Sequence, residues 1–271
     1  WHRYAYAFAN PIRYHDAYGL QGKPYGAWSA TCLNQPEDPL CRPDAPPPPG
    51  VSPQEHARLC AARAIALALS AQARAGQITD VEALARLFEQ TYPLYERHFL
   101  FFHTYNASAH IWDLAVIVGG LEVRFPGPIT WLREGWTFLR TGRLAHPEAF
   151  FEIIDNPADP NSPYSPYYLG YGAFGATGFA PPYRESPDDN IQAQRQENQV
   201  RHFIGGVAGS FFYGEVGERI LLSREEPGSP DYQLYQEGAF PLAHSFSVFT
   251  LLSGAPPPEV GDWIRRQIGV P

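Results

Sequence analysis

The residues best suited to moving protons lie together at Gln196-Glu197-Asn198-Gln199-Val200-Arg201-His202-Phe203, followed at once by Ile204-Gly205-Gly206-Val207-Ala208-Gly209-Ser210-Phe211. An imidazole titrates near neutrality, so His202 is the candidate acid or base. Asn198 stands one helical turn before it and would fix its tautomer or orient a substrate. A carboxylate should complete the pair, and Glu197, Glu215 and Asp189 are the candidates. Glu197 also forms an i,i+4 pair with Arg201, which supports a helix by about 0.2–0.5 kcal/mol and needs no catalytic explanation.

A second set of residues suits the binding of a substrate. Tyr164, Tyr167, Tyr168, Tyr171 and Tyr183 fall within a stretch rich in proline, glycine and aromatics, and aromatic faces stack on sugar rings and flat ligands. A third cluster, Glu96, His98, His103, His110 and Asp113, contains metal-ligating types, and His110 and Asp113 share a helix face. Its spacing matches no zinc signature, because HExxH and paired CxxC motifs are absent. Solvated or core-capping histidines are the reading for that cluster, with no metal site. The sequence also lacks a GxSxG elbow and a P-loop, and Gly170-Tyr171-Gly172-Ala173-Phe174-Gly175 has nucleotide-loop spacing without a preceding strand. No cofactor is implied.

Positioning His202 requires a helix over 191–213. At about 100 degrees per residue, Val200, Phe203, Ile204, Val207 and Phe211 share the face that meets the core. Asn198, His202, Gly205, Gly206 and Gly209 lie opposite. Glycine inside a helix costs about 1 kcal/mol relative to alanine, and close approach of another backbone or of a ligand is the usual compensation. The expectation is a central helix covered on both sides, with His202 on the glycine-lined side.

The remaining pattern is helical, and the fold class is all-α. Ser52-Pro53-Gln54-Glu55 reads as an N-cap, a first-turn proline and a capping-box acid, opening a helix that stops at Gly76. Thr79-Asp80-Val81-Glu82 opens a second, with Leu84, Leu87, Phe88 and Tyr92 as its core stripe. The helical pattern continues over 95–103 and 107–121, then over 128–140, 146–154, 234–252 and 258–267. These segments make a single domain of about seven to nine helices over 51–271. A Pro- and Tyr-rich arm, 1–50, precedes it, and one long aromatic loop, 155–190, interrupts it. Strands should be rare.

Composition narrows the partners. A net charge of -8 opposes binding to a phosphate backbone, so no nucleic acid is expected as a partner. No apolar run reaches the roughly 18–20 residues that span a bilayer. The sequence contains no Met and starts at Trp1-His2, which suggests a processed product, with signal removal or trimming as the two sources. Cys32 and Cys41 sit in a helix-poor segment and pair plausibly, leaving Cys60 buried and reduced. Together these predict a secreted or cell-surface protein.

Two classes of function follow. The first is an exported hydrolase cutting a polymer such as a glycan or cell-wall material, with its acid/base centre at His202. The alternative is a non-catalytic binding or structural protein whose Tyr/Pro-rich segments dock on a protein surface or on another copy of the chain.

Overall fold

The computed structural model describes residues 39–42, 45–99, 102–124, 152–155, 162–186, 190–252 and 259–270. The fold is all-α, with eight helices in these residues. Helix α1, Pro53–Arg74, begins at Ser52, whose hydroxyl accepts the Glu55 N–H, and has proline at its first turn. Helix α2, Asp80–Thr91, is capped in the same way by Thr79 onto the Glu82 N–H. Each cap satisfies a donor that the helix itself leaves unpaired. Leu84, Leu87 and Phe88 of α2 are buried, as their spacing requires.

Chain direction changes after Thr91. Pro93 lies in a 3-10 turn, Tyr92–Tyr95, and β1, Glu96–Phe99, then pairs antiparallel with β2, Phe102–Tyr105. The expected helix over 95–103 is therefore a two-stranded ribbon. Its β-branched and aromatic content, Phe99, Phe102, Thr104 and Tyr105, suits a strand better than a helix. Helix α3, Ala107–Leu114, continues as a π-helical stretch, Ala115–Gly119, and ends at Gly120 in the left-handed conformation. A second ribbon pairs β3, Leu121–Arg124, with β4, Glu152–Asp155, so the C-terminal part of the helix expected over 146–154 is strand. The expected helix over 128–140 and most of the N-terminal arm lie outside the described residues.

The helix expected over 191–213 is broken in two. Asn190 caps a single turn, α4, Ile191–Gln194. Helix α5, Gln199–Tyr213, starts afresh at Asn198. Helix α6, Glu215–Leu222, follows across Gly214. Helix α7 runs over 230–252 and has three parts: Pro230–Gln233, the π-helical Leu234–Ala239, and Phe240–Leu252. It begins earlier than its apolar pattern suggests, because Ser229 caps it ahead of Pro230. Helix α8, Val260–Ile268, completes the set.

Helix α5 is the centre of the packing, touching α3, α6 and α7. Val200, Phe203, Ile204 and Val207 are buried, and so are Gly205, Gly206 and Gly209 on the other side. The glycines serve close packing of helices. A Cβ at Gly206 would come within 2.6 Å of Tyr235 Cδ1 and 2.7 Å of Ala239 Cβ on α7. One at Gly209 would come within 2.6 Å of Leu221 Cδ1 on α6. Only residues without side chains allow α6 and α7 to approach α5 this closely.

The aromatic segment 162–186 wraps the helices as a strap. The Asp80 carboxylate holds it by accepting the N–H groups of Gly175 and Thr177, each at 2.9 Å, and the Thr177 hydroxyl. At its far end Phe179 bridges Gly269, with Ala180 N–H donating to Ile268 O and Val270 N–H donating to Gly178 O. Cys41 and Cys60 form a disulfide, their Cα atoms 5.3 Å apart. This replaces the expected Cys32–Cys41 pairing and a reduced Cys60. The turn Pro39–Cys41 packs on α1, which brings Cys41 to a cysteine far along the sequence. Among the described residues, no helix is long and apolar enough to cross a membrane.

Candidate functional site

His202 lies in the first turns of α5, and its backbone N–H donates to Asn198 O. Its Nδ1 is 2.7 Å from Oδ2 of Asp231, and both side chains are mostly buried. The contact is a close approach of charges and not a hydrogen bond: Nδ1 of His202 and Oδ1 of Asp231 are both buried with no hydrogen-bond partner. Asp231 occupies the first turn of α7, next to the Ser229 cap, where the helix dipole favours a negative charge. Among the described residues, none hydrogen-bonds Nε2 of His202.

One further group contacts the imidazole. The Tyr235 ring stacks on the imidazole with centroids 6.3 Å apart, placed there by the π-helical stretch of α7. Glu225, half-buried in the turn between α6 and α7, has its carboxyl pushed up by burial and by the charge of Asp231, with His202 acting against them. Burial, then Glu225 and Asp231, also hold the Tyr235 phenol well above its usual range. Chemically, a carboxylate beside Nδ1 can orient an imidazole whose Nε2 then exchanges a proton.

The other candidate residues fall in different places. Asn198 precedes His202 by one turn and its side chain caps no N–H. Glu197 is buried and accepts the N–H groups of Glu185 and Ser186 at 3.0 and 2.8 Å, so it tethers the strap. Burial raises its carboxyl above the ordinary value, although both N–H donors oppose this. Glu215 is exposed at the opposite end of α5, beside Arg219 at 3.8 Å. A helix rises about 1.5 Å per residue, so the length of α5 separates Glu215 from His202. Asp189 lies outside the described residues.

Of the five tyrosines, Tyr164, Tyr167, Tyr168 and Tyr183 are buried. The Tyr167 hydroxyl bonds to His56 Nδ1 at 2.6 Å, and the Tyr183 hydroxyl donates to Glu237 at 2.8 Å. Tyr171 alone of the five is exposed, half its surface open, with the Arg201 guanidinium 4.5 Å from its ring centroid.

The third cluster divides. The β1–β2 register sets His98 opposite His103, whereas His110 and Asp113 are deep in the core. Asp113 accepts both Nε and Nη2 of Arg58, at 2.5 and 3.1 Å, and the Tyr95 hydroxyl at 2.9 Å. The Thr91 hydroxyl donates to Leu87 O, so Nε2 of His110 must donate to Thr91, leaving Nδ1 to accept the Tyr105 hydroxyl. Both ring nitrogens are thus committed with the ring neutral, and burial, aided by Arg58, lowers its pKa to about 3.

Sequence reasoning missed Asp231 and Tyr235, the two residues that contact the His202 ring. The signal for Asp231 was present in Ser229-Pro230-Asp231, a cap, a first-turn proline and a first-turn acid. No protein-family model, curated protein or solved structure matches the chain.

Proposed function

We propose that this chain is a hydrolase whose acid/base centre is the His202–Asp231 pair, acting on a polymer such as a glycan or cell-wall material outside the cell. The observation that carries the reading is the 2.7 Å approach of Asp231 Oδ2 to Nδ1 of His202, with Nε2 left for a substrate. A histidine that served packing alone would need no buried carboxylate from a separate helix, since burying a charge is costly. The Cys41–Cys60 disulfide supports an oxidising compartment. Tyr171 offers the exposed ring on which a sugar would stack.

The alternative, a binding or structural protein docking through its Tyr-rich segments, ranks second. Four of the five strap tyrosines are taken up by the protein's own core.

The test is release of new reducing ends from peptidoglycan, chitin and neutral polysaccharides by the purified protein. His202→Gln should lower turnover about 10²- to 10⁴-fold, the contribution of one acid/base group. Asp231→Asn should fall in the same direction. A His202→Gln protein of unchanged melting temperature and full turnover overturns the reading.

A further inference from the structure

Two glycines bring α6 onto α5. A Cβ at Gly217 would run into the carbonyl oxygen of Gly209, and one at Gly209 would come within 2.6 Å of Leu221 Cδ1. The contact sets the neighbours of these glycines face to face, and the Ser210 hydroxyl donates to Oε1 of Glu218 at 2.6 Å. The same oxygen meets Nε2 of His244, from α7, also at 2.6 Å. Three helices thus converge on one carboxylate. Ser210 lies eight residues beyond His202 on α5, about 12 Å at the usual helical rise, so this cluster is separate from the His202 contacts.

The three groups differ in exposure. Ser210 is buried, the Glu218 side chain is 16% exposed and that of His244 is 43% exposed. A carboxylate only accepts hydrogen bonds, so Nε2 of His244 carries the proton of their contact and the lone pair of the neutral ring lies on Nδ1. Among the described residues, none hydrogen-bonds Nδ1. That nitrogen is not one of the buried polar atoms lacking a partner, so it reaches solvent. A tether between α6 and α7 needs only a donor; an imidazole held at one nitrogen and open at the other is equipped to take a proton.

We propose that His244 is the base of a second catalytic site, which hydrolyses uncharged carboxylic esters, with Glu218 and Ser210 as positioning residues. The substrate class follows from the surroundings. Helix α6 carries Glu215, Glu218 and Arg219, and Arg219 faces Glu215 at 3.8 Å, so no surplus cation awaits an anionic substrate. Leu222, one turn past Glu218 on the same face, is only partly buried and offers an apolar edge to an acyl or alkyl group.

In the step, Nδ1 of His244 takes one proton from water as the water oxygen bonds to the ester carbonyl carbon. The bond from that carbon to the alcohol oxygen breaks, and the proton passes from Nδ1 to that oxygen. The products are an alcohol and a carboxylic acid, which gives its proton to solvent. Glu218 keeps the ring turned so that Nδ1 faces the water, and the Ser210 bond keeps the carboxylate turned towards the ring. None of this depends on His202.

The test is hydrolysis of p-nitrophenyl acetate and p-nitrophenyl butyrate by the full chain, beside an equal concentration of free imidazole. The wild type should be the faster of the two. His244→Gln keeps a donor for Glu218 but takes no proton, and should lower kcat roughly 10²-fold or more with little change in KM. His244→Ala should be as slow, and added imidazole should restore part of its rate, which a role in packing alone would not produce. Glu218→Gln should lower kcat by about 10- to 10²-fold through a misplaced ring. His202→Gln should keep the wild-type ester rate.

A wild type no faster than free imidazole, a folded His244→Gln protein at the wild-type rate, or a His244→Ala protein that imidazole does not rescue overturns the assignment. An unchanged Glu218→Gln rate overturns the part given to the carboxylate. Ester hydrolysis lost in His202→Gln and kept in His244→Gln moves the chemistry to His202 and removes the second site.

Discussion

Gly206 of α5 faces Tyr235 of α7 so closely that a single added carbon would stand 2.6 Å from the tyrosine ring. The same tyrosine stacks on His202, so helix packing and the candidate site share one side chain. Gly206→Ala should destabilise the fold by about 1–3 kcal/mol, the usual cost of overpacking. It should also displace Tyr235 from the imidazole. Urea denaturation measures the first effect, and changed NMR chemical shifts of the His202 ring protons, which Tyr235 stacks on, report the second.

Asp80 is the main anchor of the strap. Asp80→Ala would leave the N–H groups of Gly175 and Thr177 and the Thr177 hydroxyl without their acceptor. The expected loss is about 3 kcal/mol, from hydrogen bonds to a charged group and the penalty for buried donors. Amide hydrogen exchange should accelerate at Gly175 and Thr177 first.

The disulfide closes a sequence separation of 19 residues. Cys41→Ser should cost roughly 3 kcal/mol by loop-closure entropy, read as a lower urea midpoint. Peptide mapping without reduction should recover Cys41 joined to Cys60. Cys32 should be recovered outside that pair.

His110 makes stability depend on acid. Its neutral ring is held by Thr91 and Tyr105, and its folded pKa is lowered from 6.5 to about 3. Between those values the unfolded chain takes up a proton that the folded chain refuses. Stability due to this residue is therefore complete above 6.5 and is lost as pH falls towards 3, by at most about 1.4 kcal/mol per pH unit. His110→Gln, which does not titrate, should flatten that part of the denaturation profile between pH 4 and 6, a range of about two units where only the unfolded imidazole is charged.

Helix starts were the most legible part of the sequence, because Ser52-Pro53 and Thr79-Asp80 carry their own caps. The central role of the 199–213 helix was legible from its two contrasting faces. Its break before Asn198 was not, since Gln196 and Glu197 both suit a helix, and Glu197 instead turns to hold the strap. The ribbon at 96–105 was hidden because short apolar runs read alike in either period. His202 was singled out from its type and position, but its contact with Asp231 was not legible, because Asp231 reaches it only through the packing of α7 on α5. The tyrosines suggested a binding surface, and most of them turned inward because large rings gain more from burial than from exposure.

The pairing of Phe179 with Gly269, and the bonds from Ala180 to Ile268 and from Val270 to Gly178, set an order of events during synthesis. Domains assemble from the N-terminal side as the ribosome delivers them, and α1 and α2 can pack together early. The strap runs across them yet cannot seat its far end until residue 269 has emerged. A ribosome stalled shortly before that point would carry a helical core whose aromatic wrapping is still open, and contacts so distant along the chain form slowly. The last turn of α8 therefore acts as the latch on a segment made long before it.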